Sequence, residues 1–175
     1  MQLNLSELFT SIGKEKEYTV PLEMTKVRLH GCQYPITEKE DVRLRIRHTG
    51  NRRVELTGTA RVVLQIPCNR CLQPVSRAFL LQLDRDMDLS VTTEERLEAL
   101  DEQPYIDGYN LDVEELVYGE LVVNMPMKVL CRSDCKGICN RCGANLNLET
   151  CHCDVTELDP RMSVIRDIFN NFKEV

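Results

Sequence analysis

Eight of the nine cysteines in this chain stand in four close pairs: Cys68 with Cys71, Cys131 with Cys135, Cys139 with Cys142, and Cys151 with Cys153. The tetrapeptide Cys-Asn-Arg-Cys forms two of them, at 68–71 and 139–142. Two intervening residues let both sulfurs turn toward one tetrahedral ion while backbone N–H groups point at the thiolates, the arrangement of a zinc knuckle. Gly143 after the second knuckle favours that turn. In extended chain, residues i and i+2 share a face, so Cys151 and Cys153 can reach one metal while His152 points away. Four pairs fill two four-thiolate sites, predicting two structural zinc ions and leaving Cys32 outside.

Nine cysteines in 175 residues is about 5%, short of the roughly 8–10% of small secreted disulfide scaffolds. In a reducing compartment such cysteines read as metal ligands rather than disulfides or small buried hydrophobes. The segment Met1 to Ser6 lacks the basic and apolar regions of a secretory signal. The longest apolar run, Ala78 to Leu81, has four residues, where a membrane span needs about 20. The expectation is a cytoplasmic chain with no membrane contact.

A thioredoxin-like role for Cys68 and Cys71 fits poorly, because the pair lies between two strand-like segments instead of opening a helix. Catalytic zinc needs an open ligand position, and no His-Glu helix motif accompanies the cysteines. His30, His48 and His152 are far apart in sequence, and neither a Gly-rich phosphate loop nor a Ser/His/Asp arrangement is visible. The expectation is no enzymatic activity and no small-molecule substrate.

Spacing leaves open which pair joins which. Grouping Cys139 and Cys142 with Cys151 and Cys153 closes a loop of eight residues, whereas Cys68 and Cys71 with Cys131 and Cys135 close one of 59. The longer loop adds about 1.8 kcal/mol of entropic cost, small beside the roughly 10–16 kcal/mol of a structural zinc site. Arg70, Arg132, Lys136 and Arg141 lie inside the motifs, where they offset the negative charge of four-thiolate zinc.

The net charge of −6 hides an asymmetry. From Lys26 to Arg85, 12 Lys or Arg stand against 5 Asp or Glu; from Asp86 to Glu120, Arg96 alone stands against 12 acids. Such blocks suit a surface that attracts phosphate on one side, or a basic protein on the other. Arg43, Arg45 and Arg47 project from one face of a strand, and Arg52 and Arg53 follow its turn. These five are the candidate RNA-contacting residues, with the acidic belt facing away. The opposing expectation is that they pair with Asp86, Asp88 or other acids.

Val42, Leu44, Ile46 and His48 alternate with the arginines, the period of a half-buried strand. Thr49-Gly50-Asn51 is turn chemistry. Arg53 to Ile66 and Val75 to Leu83 alternate again, which predicts three antiparallel strands in series, with a bulge at Gly58. Near the start, a helix capped by Ser6 and ended by Gly13 competes with a strand over Gln2 to Leu5. Thr93 to Leu100 reads as a short helix, and Asp112 opens a second that Pro126 stops. Asp159 and Pro160 open a third, whose Met162, Ile165, Ile168, Phe169 and Phe172 share one face. The predicted class is α+β: an antiparallel β-sheet core with a few helices and a cysteine-rich, zinc-knuckle or ribbon-like C-terminal region. The first part, 1–127, holds the sheet and its covering helices. The second, 128–175, holds the zinc region and the last helix, docked on the first as one unit.

The segment Leu130-Cys-Arg-Ser-Asp-Cys-Lys-Gly-Ile-Cys-Asn-Arg-Cys-Gly-Ala-Asn-Leu-Asn-Leu-Glu-Thr-Cys-His-Cys153 resembles the signature of the YceD family of bacterial and plastid proteins. Cys68-Asn-Arg-Cys-Leu72 and Asp159-Pro-Arg-Met162 match it too. Asn140 departs from the proline of many relatives, which loosens the knuckle turn and leaves the ligands in place. The resemblance implies a factor needed for accumulation of large-subunit ribosomal RNA, hence for ribosome assembly, with no known enzymatic step. Its partner would be that RNA or a large-subunit ribosomal protein. From another class comes a redox-controlled zinc chaperone that releases metal when its paired cysteines are oxidised.

Overall fold

The computed structural model describes residues 1–29, 31–91, 93–98 and 103–153. In chain order the elements are β1 (Gln2–Asn4), a 3-10 turn (Ser6–Thr10), β2 (Glu15–Val20), β3 (Lys26–Leu29), β4 (Cys32–Lys39), β5 (Val42–Gly50), β6 (Arg53–Pro67), β7 (Pro74–Asp88), α1 (Thr93–Glu98), β8 (Ile106–Asp107), β9 (Asn110–Asp112) and α2 (Val113–Asn124). The architecture is mostly antiparallel sheet, with α2 its principal helix.

The alternation in β5 translates directly into burial. Val42, Leu44, Ile46 and His48 are buried, while Arg43, Arg45 and Arg47 face solvent. β5 turns into β6 through Asn51 and Arg52, whose φ values of 48° and 58° make a two-residue left-handed turn, the geometry that matches the twist of paired strands. β6 then pairs with β7 along its whole length, from Arg53 opposite Asp88 to Pro67 opposite Pro74. On its other edge, β6 meets β5 through residues 53–59 and β4 through residues 62–64. β4 and β5 therefore run end to end along one strand. β2 flanks β5 and β3 flanks β4, both antiparallel.

The inward faces of these strands, including Leu56, Val62, Leu64, Leu81 and Leu83, form one apolar core. α2 covers it with Val113, Leu116, Val117 and Leu121. Asp112 caps this helix by accepting the N–H groups of Glu114 and Glu115 at 3.0 and 3.2 Å, satisfying donors that the first turn leaves open. Arg85 of β7 points inward and forms an ion pair with the buried Glu120 of α2. A second, three-stranded sheet in the order β1, β9, β8 ties the start of the chain to the segment just before α2.

Several expectations change. The competing readings at the start are both realised in part, as β1 and then the 3-10 turn. Leu5, not Ser6, occupies the cap position, without a side-chain cap; the Ser6 hydroxyl instead donates to the Asn4 side chain, which also accepts the Ser6 N–H at 3.0 Å. Gly58 marks no bulge: it stands in regular register opposite Leu44, and the register shifts fall between Ile36 and Glu38 and between His48 and Gly50. What Gly58 supplies is room for the backbone of β5. The helix expected over Asp159 to Phe172 lies outside the described residues, as does the end of the one expected over Thr93 to Leu100. No helix among the described residues is long and apolar enough to cross a membrane.

Candidate metal centre

The structure gathers the eight paired cysteines into two groups. Cys68, Cys71, Cys131 and Cys135 form one; Cys139, Cys142, Cys151 and Cys153 form the other, and within each the sulfurs lie within 4.8 Å of one another. This is the grouping that combines the long and the short loop. Cys32 joins neither and is exposed.

Both Cys-Asn-Arg-Cys turns use the same backbone bonds. In the first, the Cys68 N–H donates to the Gln73 carbonyl at 2.8 Å and the Leu72 N–H returns to the Cys68 carbonyl at 3.0 Å. In the second, the Cys139 N–H donates to the Ala144 carbonyl at 2.8 Å and the Gly143 N–H to the Cys139 carbonyl at 2.9 Å. Leu72 and Gly143 both have positive φ, 61° and 75°. Each turn aims the N–H of its arginine at the leading sulfur, Arg70 to Cys68 at 3.5 Å and Arg141 to Cys139 at 3.4 Å.

The first turn joins β6 to β7, so the sheet itself presents Cys68 and Cys71. Cys131 and Cys135 arrive from the segment after α2, held by Asn69. That side chain accepts the Val129 N–H at 2.6 Å, and the Asn69 N–H donates to the Val129 carbonyl at 2.8 Å. The Cys131 N–H then donates to the Cys68 sulfur at 3.4 Å. Arg70 fastens the other side, its guanidinium donating to the Cys135 carbonyl at 2.7 Å. Neither asparagine contact is legible from cysteine spacing.

Asn147, in the loop between Cys142 and Cys151, is the second residue that spacing does not reveal. Its Oδ1 accepts the Lys136 N–H at 2.8 Å and the Arg132 guanidinium at 3.0 Å, while its Nδ2 donates to the Cys135 sulfur at 3.3 Å. Two donors facing Oδ1 fix the orientation of the amide and leave N–H pointing at sulfur. The Leu146 N–H also donates to the Gly137 carbonyl, and the Ile138 N–H to the Arg70 carbonyl, so the two groups share one hydrogen-bonded frame.

The donor set fits a soft dication. Burial opposes ionisation of Cys68, yet N–H donors of Cys71, Arg70 and Cys131 outweigh it and bring the thiol down to about 6. Donors from Cys142 and Arg141 bring Cys139 down to about 6 likewise. Desolvation, followed by the neighbouring Cys135, Cys71 and Cys68, pushes Cys131 up to about 12. Sharing with Cys142, followed by desolvation, pushes Cys153 up to about 12. Four sulfurs this close cannot all ionise unless a cation supplies the missing charge. All-thiol sets of four favour zinc or iron–sulfur chemistry.

The arginines of the basic stretch sit elsewhere, on the solvent face of the sheet. Arg45 is paired with Glu15 at 3.2 Å and Glu17 at 2.8 Å, and Arg53 with Asp88 at 3.0 Å. Arg47 lies opposite Glu15 and Glu55 across the strands, and Arg43 opposite Thr19 and Thr59. Arg52 occupies the turn. Part of the acidic belt shares the face of the arginines. Strand register puts Asp84, Asp86 and Asp88 beside Thr57, Glu55 and Arg53, on the face that carries Arg43, Arg45 and Arg47.

A family model described as "Large ribosomal RNA subunit accumulation protein YceD" matches residues 56–169, which include all eight grouped cysteines. The chain is 28% identical over 185 residues to "Large ribosomal RNA subunit accumulation protein YCED homolog 1, chloroplastic" of Arabidopsis thaliana, covering 90% of this chain and 56% of that protein. It is 31% identical over 113 residues to an uncharacterized protein of Mycobacterium tuberculosis, covering 62% of this chain and 52% of that one. The chain thus spans about half the length of the curated relatives it matches. No solved structure gives a significant match.

Proposed function

Because the chain belongs to the YceD family, we propose that it is a non-enzymatic factor for accumulation of large-subunit ribosomal RNA, and so for ribosome assembly, held in shape by two structural zinc ions. The observation that carries this reading is the first cysteine group, which draws two ligands from the tip of β6 and β7 and two from the segment after α2. A zinc ion held there by Cys68, Cys71, Cys131 and Cys135 would cross-link parts of the chain about 60 residues apart. A second, held by Cys139, Cys142, Cys151 and Cys153, would close the C-terminal loop. Each group offers four thiols and so fills a tetrahedral ion completely, which supports a structural ion over a catalytic one. The partner in this reading is large-subunit ribosomal RNA or a large-subunit ribosomal protein.

Depleting the protein from its host should lower large-subunit ribosomal RNA relative to small-subunit RNA. Wild-type chain should restore the ratio, and Cys135→Ser should not. An unchanged ratio on depletion removes the proposal. A second reading, a redox-controlled chaperone, draws support from the exposure of Cys131 and Cys142. Zinc release by dilute peroxide, accompanied by suppression of client aggregation, would favour it.

A further inference from the structure

Asn147 belongs by sequence to the loop of the second cysteine group, yet its side chain is spent on the first. Its Nδ2 reaches the Cys135 sulfur at 3.3 Å and the Asn145 Oδ1 at 2.8 Å. Its Oδ1 gathers the Lys136 N–H and the Arg132 guanidinium, both from the stretch that carries Cys131 and Cys135. A metal thiolate is strengthened by such outer N–H donors, whose loss commonly costs ten- to a hundredfold in affinity. An ion shared by Cys142 and Cys151 would tie together the two ends of the loop that holds Asn147. Around it, the Ile138 and Asn145 bridge and the Leu146 to Gly137 bond run directly between the two groups.

We propose that Asn147 is a positioning residue for the first metal centre, supplied by the loop of the second, so that filling either centre raises the affinity of the other. The inference rests on the metal reading above. An ion in the second centre fixes the ends of the 143–150 loop and sets the Asn147 amide against Cys135. Linkage makes the effect reciprocal: an ion on Cys135 favours the loop conformation that the second centre needs.

The test uses the full chain loaded with zinc and exposed to a chelator and a thiol-alkylating reagent, with modification mapped by mass spectrometry. In Asn147→Ala, Cys68, Cys71, Cys131 and Cys135 should be modified 10- to 100-fold faster, and the second-centre cysteines much less so. Asn147→Gln, which keeps the amide, should recover part of the protection. In Cys153→Ser, which disrupts the second centre, the first-centre cysteines should also lose protection, and adding Asn147→Ala should change them little further. Unchanged first-centre rates in both Asn147→Ala and Cys153→Ser overturn the coupling. A wild-type chain that takes up no metal overturns the metal reading itself, whereas two ions released independently overturn only this inference.

Discussion

Gly58 of β6 lies directly under Leu44 of β5: a Cβ added to the glycine would stand 2.7 Å from the Leu44 Cδ2 and would also strike the Arg43 carbonyl oxygen. The obstacle includes backbone and cannot swing aside. Gly58→Ala should therefore cost about 1–3 kcal/mol, seen as a lower urea midpoint. Zinc content should not change, since Cys68 lies about 30 Å further along β6. An unaltered midpoint would mean that β5 can move off β6 freely.

Glu120 is buried and its ion-pair partner Arg85 is 38% exposed. Arg85→Met leaves a carboxylate without its cation at the interface of α2 and β7. Because water reaches the arginine, the loss should fall near the low end for broken buried pairs, about 2–3 kcal/mol. Adding Glu120→Leu should restore most of it. A double-mutant cycle in urea measures the coupling, and additive losses would exclude it.

Among the candidate RNA-contacting arginines, pairing makes some better candidates than others. Arg45 and Arg53 are held by Glu15, Glu17 and Asp88, so Arg45→Gln and Arg53→Gln should leave the salt dependence of RNA binding nearly unchanged. Arg43→Gln and Arg47→Gln should each flatten the slope of log affinity against log salt by about one. Filter binding across a salt series decides it; equal effects at all four positions would show that the ion pairs open on binding.

Metal uptake should release protons. At pH 8 the raised thiols Cys71 and Cys131 in one centre, and Cys151 and Cys153 in the other, still carry theirs. Zinc binding should then liberate at least two protons per ion, since ligand thiols must be ionised. Acidification should weaken binding, and more steeply near pH 6, where Cys68 and Cys139 take up protons as well. In the metal-free chain, ionisation of these two stabilises the fold above about 9, and that contribution is lost as pH falls through about 6. Calorimetry in buffers of different ionisation enthalpy counts the protons; release of none would contradict the assigned ligands.

The strands from β5 to β7 are legible because each alternates apolar and polar residues over many positions. β2 and β4 are not. Only Tyr18 and Val20 of β2 turn inward behind three exposed charged residues, and β4 has no buried residue at all. Their identity as strands comes from pairing with β5 and β6, a tertiary cause that local pattern does not carry. The glycine at 58 was readable as special but not as a close approach, since a bulge asks for the same residue. Cysteine spacing reveals the pairs while leaving their partners open. Asn69 and Asn147 hide for a related reason, because asparagine in a loop is ordinary turn chemistry until its amide is seen facing another segment.

The distance along the chain between Cys71 and Cys131 gives the first centre a history that the second lacks. At about 5–20 residues per second, synthesis takes roughly 3–12 seconds to travel the 60 positions separating them. During that interval β6 and β7 can pair while the turn at their tip presents two thiols with no companions. The second group needs only 14 positions from Cys139 to Cys153 and is complete in about 0.7–3 seconds. Newly made chain therefore passes through a brief stage in which the half-built tip is open to oxidants and competing metals, and the supply of zinc at that moment bears on whether the finished molecule closes correctly.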